Sequence, residues 1–150
     1  MEVCIKPNVA NQQAFWFEKG AVNTQYSLFQ EGGGGVIVWR QYYSNLGYYV
    51  DLYLNAATYI NTSRWQQIVG TRISGRRRLY YNGILQNSDT FANTLATNSS
   101  GMSIGAYGGY SGAKGYYYNG NLAICRVYNK ELTPAEVLQN YNATKGRFNL

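Results

Sequence analysis

Residues 65–86 read Trp-Gln-Gln-Ile-Val-Gly-Thr-Arg-Ile-Ser-Gly-Arg-Arg-Arg-Leu-Tyr-Tyr-Asn-Gly-Ile-Leu-Gln, and they decide the fold class. Ile68, Val69 and Thr71 are strand formers. Ser74-Gly75 breaks the run, and Leu79-Tyr80-Tyr81 starts a second one. Asn82-Gly83 then stands between Tyr81 and Ile84. Asn-Gly is the favoured pair for a type I′ turn, because both central residues need positive φ. The spacing predicts that 79–81 pairs antiparallel with 84–86. Arg76-Arg77-Arg78 is read as a basic turn ahead of the second strand.

Toward the N-terminus the pattern is one of short strands. Val3-Cys4-Ile5 is stopped near Pro7, and Ala14-Phe15-Trp16-Phe17 and Tyr26-Ser27-Leu28-Phe29 follow. Four glycines at 32–35 make a mobile loop, after which Val36-Ile37-Val38-Trp39 resumes the sheet and turns polar at Arg40. Residues 48–54 alternate most cleanly. Val50, Leu52 and Leu54 fall on one face and Tyr49, Asp51 and Tyr53 on the other, as in a strand half buried in an antiparallel sheet. Tyr59-Ile60 is expected as a short partner strand.

Beyond the hairpin, 87–100 is polar and 101–120 is rich in Gly and Tyr. Met102, Ile104 and Ala106 alternate as a strand, 107–115 reads as a loop, and 122–128 as the last long strand. One helix is signalled. Thr133 is its N-cap, Pro134 suits the first turn, Glu136 completes a capping box, and Leu132 with Val137 fits a hydrophobic staple. It is expected to run to about Asn140, with Leu138 and Tyr141 packing inward and Gly146 ending anything beyond. Many short strands, glycine turns and one short helix predict an all-β, antiparallel two-sheet sandwich over residues 1–150 as a single domain.

The strand ending in Gly70-Thr71 followed by Leu79-Tyr80-Tyr81-Asn82-Gly83 resembles the laminin G-like branch of the concanavalin A-like lectin/glucanase superfamily. Ser103-Ile104-Gly105-Ala106 fits the same pattern. So does Tyr118-Asn119-Gly120 through Val127-Tyr128, continuing into Leu132-Thr133-Pro134-Ala135-Glu136. The resemblance spans roughly residues 15–141 and implies a jelly roll with one curved sheet. It leaves the ligand open, because fold does not fix function.

Composition narrows the classes. Charged residues are 13% of the chain, against a usual ~25%, so Tyr, Asn, Gln, Ser, Thr and Gly must cover much of the surface. Aromatic residues are 16%, led by 16 Tyr. The net charge is +6, from 13 basic and 7 acidic residues, yet only Arg76-Arg77-Arg78 is clustered, so no basic stripe for nucleic acid is present. No run approaches the ~18 apolar residues of a membrane span. No signal peptide is visible at Met1-Glu2-Val3-Cys4. The 2 cysteines, Cys4 and Cys125, fall in the first and last strands and are read as reduced thiols, although a disulfide between neighbouring ends is conceivable.

Catalysis has few candidates. With 0 His, a Ser-His or Cys-His nucleophile is excluded and a zinc site disfavoured. The acids are Glu2, Glu18, Glu31, Asp51, Asp89, Glu131 and Glu136, and no two lie within three residues of each other. Glycan hydrolysis needs two carboxyls ~5–9.5 Å apart, so no catalytic residue and no cofactor are assigned. Calcium, the usual cofactor implied by the resemblance, would have only Asp89 with Asn87 to hold it.

The candidate binding residues are aromatic and polar. Tyr49, Asp51 and Tyr53 share one strand face; Tyr107, Tyr110, Tyr116 and Tyr117 stand in the Gly-rich segment; Arg76 and Arg77 add charge. Tyr suits a protein interface and a sugar platform alike, since one end is apolar and the other bonds water. The segment Asn140-Tyr141-Asn142-Ala143-Thr144-Lys145-Gly146-Arg147-Phe148 resembles the end of such domains in phage and other viral structural proteins. The first expectation is therefore a non-catalytic virion component, either a capsid decoration protein or a tail-fibre part, with capsid or tail proteins as partners. A homo-oligomer is compatible with it. The alternative is a lectin-like adhesion module for a cell-surface glycan. Neither specific nucleic acid nor membrane is expected as a partner.

Overall fold

The computed structural model describes residues 1–20, 25–33, 35–97, 99–108 and 114–150. Along them run β1 (Glu2–Pro7), β2 (Ala14–Lys19), β3 (Tyr26–Glu31), β4 (Val36–Tyr43), β5 (Tyr48–Asn55) and α1 (Ala56–Tyr59). There follow β6 (Gln66–Ile73), β7 (Arg76–Tyr81), β8 (Ile84–Thr90), β9 (Met102–Ile104), β10 (Gly120–Arg126) and α2 (Pro134–Phe148). Asn82 (φ 47°) and Gly83 (φ 79°) both take positive φ, and Tyr81 pairs with Ile84 across them. The type I′ hairpin thus forms where its sequence calls for it.

The strands form two antiparallel sheets. Sheet A has the order β10-β1-β6-β7-β8 and sheet B the order β5-β4-β3-β2-β9, giving the expected jelly-roll sandwich. Between them Val3, Ile5, Ile68 and Leu79 of sheet A meet Trp16, Leu28, Ile37, Trp39, Leu52 and Leu54 of sheet B. Each such side chain contributes ~1.5–3 kcal/mol by leaving water. Gly70 is required at the centre: a Cβ there would lie 2.7 Å from the Trp39 ring.

Ser74 (φ 45°) and Gly75 (φ 82°) make a second tight turn, with Ile73 opposite Arg76. The three arginines are therefore strand residues rather than a basic turn, and alternation sends them to different faces. Arg77 points between the sheets and is fully buried, donating from Nε to Asp89 Oδ1 (2.8 Å) and from Nη1 to the Val50 carbonyl (2.8 Å). Arg78 turns outward to Glu131 at 2.6 Å.

Two helix expectations are corrected. Residues 56–59 form α1, not a strand partner to β5. The Asn55 side chain accepts from Ala57 N at 3.0 Å and caps it. The α2 helix begins as expected, with its complete capping box, but passes Gly146 and ends at Asn149, which is left-handed (φ 53°). Phe148 meets Trp65 with ring centroids 5.2 Å apart, a contact that holds the last turns. Val137 is buried beneath the helix, whereas Leu138 faces solvent. Of the glycine loop at 32–35, Gly33 and Gly35 take positive φ and Gly34 lies outside the described residues.

Across β1 and β10, Val3 faces Cys125 and Cys4 faces Ile124. Alternation then puts the two thiols on opposite faces of sheet A, so this register offers them no disulfide geometry. Burial pushes the Cys4 thiol up to about 12.

Candidate functional site

The site grows from β5. Its alternation is as expected: Leu52 and Leu54 enter the core, while Tyr49 and Tyr53 stand on the outer face of sheet B with Asp51 between them. Register then sets the neighbours. Ser103 of β9 faces Glu18 of β2, Glu18 faces Ser27 of β3, Ser27 faces Arg40 of β4, and Arg40 faces Asp51 of β5. One polar row thus crosses the whole outer face. The adjoining row is apolar, running Phe15, Phe29, Val38 and Tyr53.

Arg40 is the centre of the polar row. Its Nε donates to Asp51 Oδ1 at 2.9 Å and its Nη2 to Oδ2 at 2.7 Å. This fork-on-fork pairing raises the guanidinium pKa above its ordinary value. The Arg40 Cζ lies 4.8 Å from the Phe29 ring centre and 5.0 Å from that of Tyr49. Both partners stay in reach of solvent, with side chains 25% and 29% exposed. Next in the row, the Ser27 hydroxyl is buried, with no hydrogen-bond partner among the described residues.

Aromatic rings wall the row. Phe15 stacks on Phe29 at 4.4 Å, and Tyr107 and Tyr116 lie 5.0 and 6.2 Å from Phe15. The backbone carrying these tyrosines is docked onto β2: Phe15 N donates to the Tyr116 carbonyl at 3.2 Å, and Gly108 N donates to the buried Glu18 carboxylate. Burial pushes the Tyr107 phenol up. Tyr116 takes positive φ (45°), which turns its backbone at the rim. The result is a cleft of ≈ 290 Å³ lined by Gln13, Phe15, Ser27, Arg40, Tyr49, Tyr107 and Tyr116. That is the low end of small-ligand sites.

The sequence-derived candidates therefore divide. Tyr49, Tyr107 and Tyr116 come together in the cleft, with Asp51 beside it through Arg40. Tyr53 shares the face but sits in the apolar row. Arg76 is exposed on sheet A, away from the cleft, and Arg77 is buried and serves structure alone. Tyr117 is 66% exposed and does not line the cleft. Tyr110 lies outside the described residues. Sequence reading missed Arg40, Ser27, Glu18 and Phe15. The available signal was the short 44–47 connection, which sets Arg40 opposite Asp51.

Other groups are committed elsewhere. Asp89 is bound to Arg77, and Asn87 Nδ2 donates to the Tyr53 carbonyl at 2.9 Å, so the imagined calcium pair holds the sheets together instead. Among the described residues no three His, Cys, Asp or Glu side chains gather. No described helix is long and apolar enough to cross a membrane. A larger hollow of ≈ 400 Å³ opens at one end of the sandwich, beside Trp39, residues 70–73 and residues 127–132. Its carboxylate, Glu131, is held by Arg78 and Thr71, and Trp39 lies against Gly70.

Several solved structures share this shape. The carbohydrate-binding domain (CBM40) of the Ruminococcus gnavus IT-sialidase, bound to α2,3-sialyllactose, is similar with a TM-score of 0.70 and 13% identity, over 93% of this chain and 80% of that one. The leech intramolecular trans-sialidase is similar at 0.70 and 16% identity, over 92% of this chain but only 22% of the enzyme. The receptor-binding domain of botulinum neurotoxin type G is similar at 0.65 and 14% identity, over 95% of this chain and 37% of that one. No curated protein matches the sequence. The family model described as concanavalin A-like lectin/glucanases superfamily matches residues 1–138. The chain belongs to that superfamily.

Proposed function

We propose that the chain is a non-catalytic carbohydrate-binding module whose ligand lies on the outer face of sheet B, against Tyr49, Tyr107 and Tyr116. The observation that carries this reading is the Arg40–Asp51 pair set among aromatic faces in one cleft. A sugar presents an apolar face to stack on a ring and hydroxyls around its edge. An Arg–carboxylate pair supplies donors and acceptors for those hydroxyls at fixed positions. The sialyllactose-bound R. gnavus domain, which shares the fold, is consistent with the reading.

Absence of catalysis fits the row geometry. Glu18 and Asp51 share the row but are three strand spacings apart, about 14 Å between backbones at ~4.8 Å per spacing. Paired glycosidase carboxyls stand at ~5–9.5 Å. The test is a panel of immobilised glycans probed with the native chain, Arg40→Ala and Tyr49→Ala. Retention by the native chain and loss in both variants is the expected result. Equal retention by all three would place the ligand elsewhere.

A second reading is protein contact on a virion, as a capsid decoration protein or tail-fibre part. Its structural motive is the edge strand β9, where Met102 and Ile104 are 62% and 59% exposed. Large apolar side chains on an uncovered sheet edge invite a partner chain. The viral placement itself rests on the resemblance of residues 140–148 to the ends of phage structural domains. Co-purification with intact particles, lost on Met102→Lys with Ile104→Lys, is the expected outcome. Incorporation unaffected by that double change would remove the β9 edge from consideration.

A further inference from the structure

Granting glycan binding at sheet B, on which the following rests, we infer that the site takes neutral sugars through their hydroxyls, and that Asp51 sets this preference against acidic sugars. The cation that would attract an acidic sugar is already committed. Arg40 presents Nε and Nη2 to Asp51 at 2.9 and 2.7 Å, the same fork a ligand carboxylate would occupy. An incoming carboxylate must displace Asp51 or bind beside it, and either way two anions then share one guanidinium.

The rest of the row offers no spare positive charge. Glu18 is a buried carboxylate on the same row, and Lys114 reaches Ser103 at the far end at 2.6 Å. With Glu31, which alternation on β3 places on the same face and which acts on Arg40, three acids therefore face two bases across the outer face. The segments outside the described residues, 21–24, 34, 98 and 109–113, contain no charged residue, so they leave that balance as it is. The net charge of +6 belongs to other parts of the surface.

A hydroxyl suits what remains. Arg40 bonds Asp51 through Nε and Nη2, so among the described residues Nη1 has no hydrogen-bond partner and can donate. The Asp51 oxygens, each accepting one bond from Arg40, keep further lone pairs and can accept. Two neighbouring sugar hydroxyls would meet both needs at once. Phe29 and Tyr49, at 4.8 and 5.0 Å from Cζ, hold the guanidinium in place for them.

The test uses the whole chain and matched pairs of glycans, each neutral oligosaccharide beside its sialylated form. The native chain should prefer the neutral member by about fivefold, near the upper range of a partly exposed ion-pair effect; affinity for the neutral member should change little with salt, and the preference should narrow as salt is added. Asp51→Asn frees Arg40 and should shift the ratio toward the sialylated member by a similar factor, with a new salt dependence. Circular dichroism checks that the variant is folded, and Asp51→Ser serves if it is not. A native preference for the sialylated member, or a ratio unmoved by both variants, overturns the inference and leaves the glycan reading standing. Binding of neither member by the folded native chain overturns both.

Discussion

Sheet A turns Val69 and Tyr80 outward beneath α2, where Leu132 and Val137 close a second apolar cluster over them. Sheet B turns Phe15, Phe29 and Val38 outward too, but no helix covers them among the described residues: Val36, Tyr107, Tyr116 and the Arg40 guanidinium lie against that cluster. The acidic groups differ in the same way. On sheet A, Glu2 is 1% exposed and accepts from Gln67 (2.8 Å), Tyr128 and Asn140 (3.0 Å). On sheet B, Asp51 answers to Arg40 and stays 29% exposed. The acid of the covered face is thus enclosed by the chain's own donors, and the acid of the open face stays within reach of solvent. A ligand can use only a polar group that it can reach, and on sheet A the Gln67 Oε1 and Tyr80 hydroxyl, unpartnered among the described residues, are buried.

The largest expected effect is on the covered face. Leu132 is 4% exposed in the cluster under α2, and Leu132→Ala should lower stability by ~2–5 kcal/mol, read as a shift in the urea midpoint. Glycan binding by the folded protein should not change. A matching loss of affinity would show that the faces are coupled, and the contrast would fail. Next comes Arg40→Ala. Loss of hydrogen bonds to a charged group is worth ~1.5–3 kcal/mol, so binding should fall about tenfold or more. Stability should fall by less than about 1 kcal/mol, because the pair is partly exposed. Calorimetric titration together with denaturation separates the two.

The parts of this arrangement that could be read from sequence are those fixed by local chemistry. Asn82-Gly83 needs no distant partner to choose its turn, and Thr133, Pro134 and Glu136 declare a helix start among themselves. The helix end was not local: Gly146 lowers propensity by ~1 kcal/mol, but Phe148 packs on Trp65 and carries the helix past it. Arg77 was misread for a related reason. In a regular hairpin closed by Tyr81 and Ile84, Arg77 would face Ser88. Alternation with Leu79 sends Arg77 inside, and an irregularity at Leu79/Tyr80 moves it opposite Asp89, which pairs the buried charge. The Tyr49–Asp51–Tyr53 face was legible because its period is two. Arg40, Ser27 and Glu18 were not, because only cross-strand register, set by three separate connections, lines them up.

Within sheet B the two exposed tyrosines of β5 sharpen the contrast further. Tyr49 lines the cleft and stacks on Arg40, whereas Tyr53 is 58% exposed in the row beside it. Tyr49→Ala should weaken glycan binding several-fold, by about the 1 kcal/mol of a cation–π or stacking contact. Tyr53→Ala should change stability by no more than about 0.5 kcal/mol and leave affinity close to native. A larger binding loss at Tyr53 would move the site one row along the sheet, away from Arg40.

The smallest effect concerns acid and the start of α2. Glu136 accepts from Lys130 and from the Thr133 backbone and hydroxyl, and these contacts, with Lys130 first, lower its carboxyl from an ordinary 4.5 to about 2. A carboxylate held below its unfolded value adds stability that is fully present above that value. The contribution is lost as pH falls through the folded one. The native chain should therefore lose part of its advantage over Glu136→Gln between pH 4.5 and about 2, and show a constant difference above that window. The group is solvent-exposed, so the change should be small and fall further with added salt. It should also be confined to the covered face, since the capping box holds the end of α2 that carries Val137. Amide exchange across residues 133–137 at pH 3 is the direct measurement. Faster exchange there in the native chain than at pH 6, after correction for intrinsic rates, with β4 and β5 unchanged, is the expected pattern. Loosening that appeared first in β4 and β5 would mean that the Arg40–Asp51 row, not the helix cap, is the acid-sensitive part of the molecule.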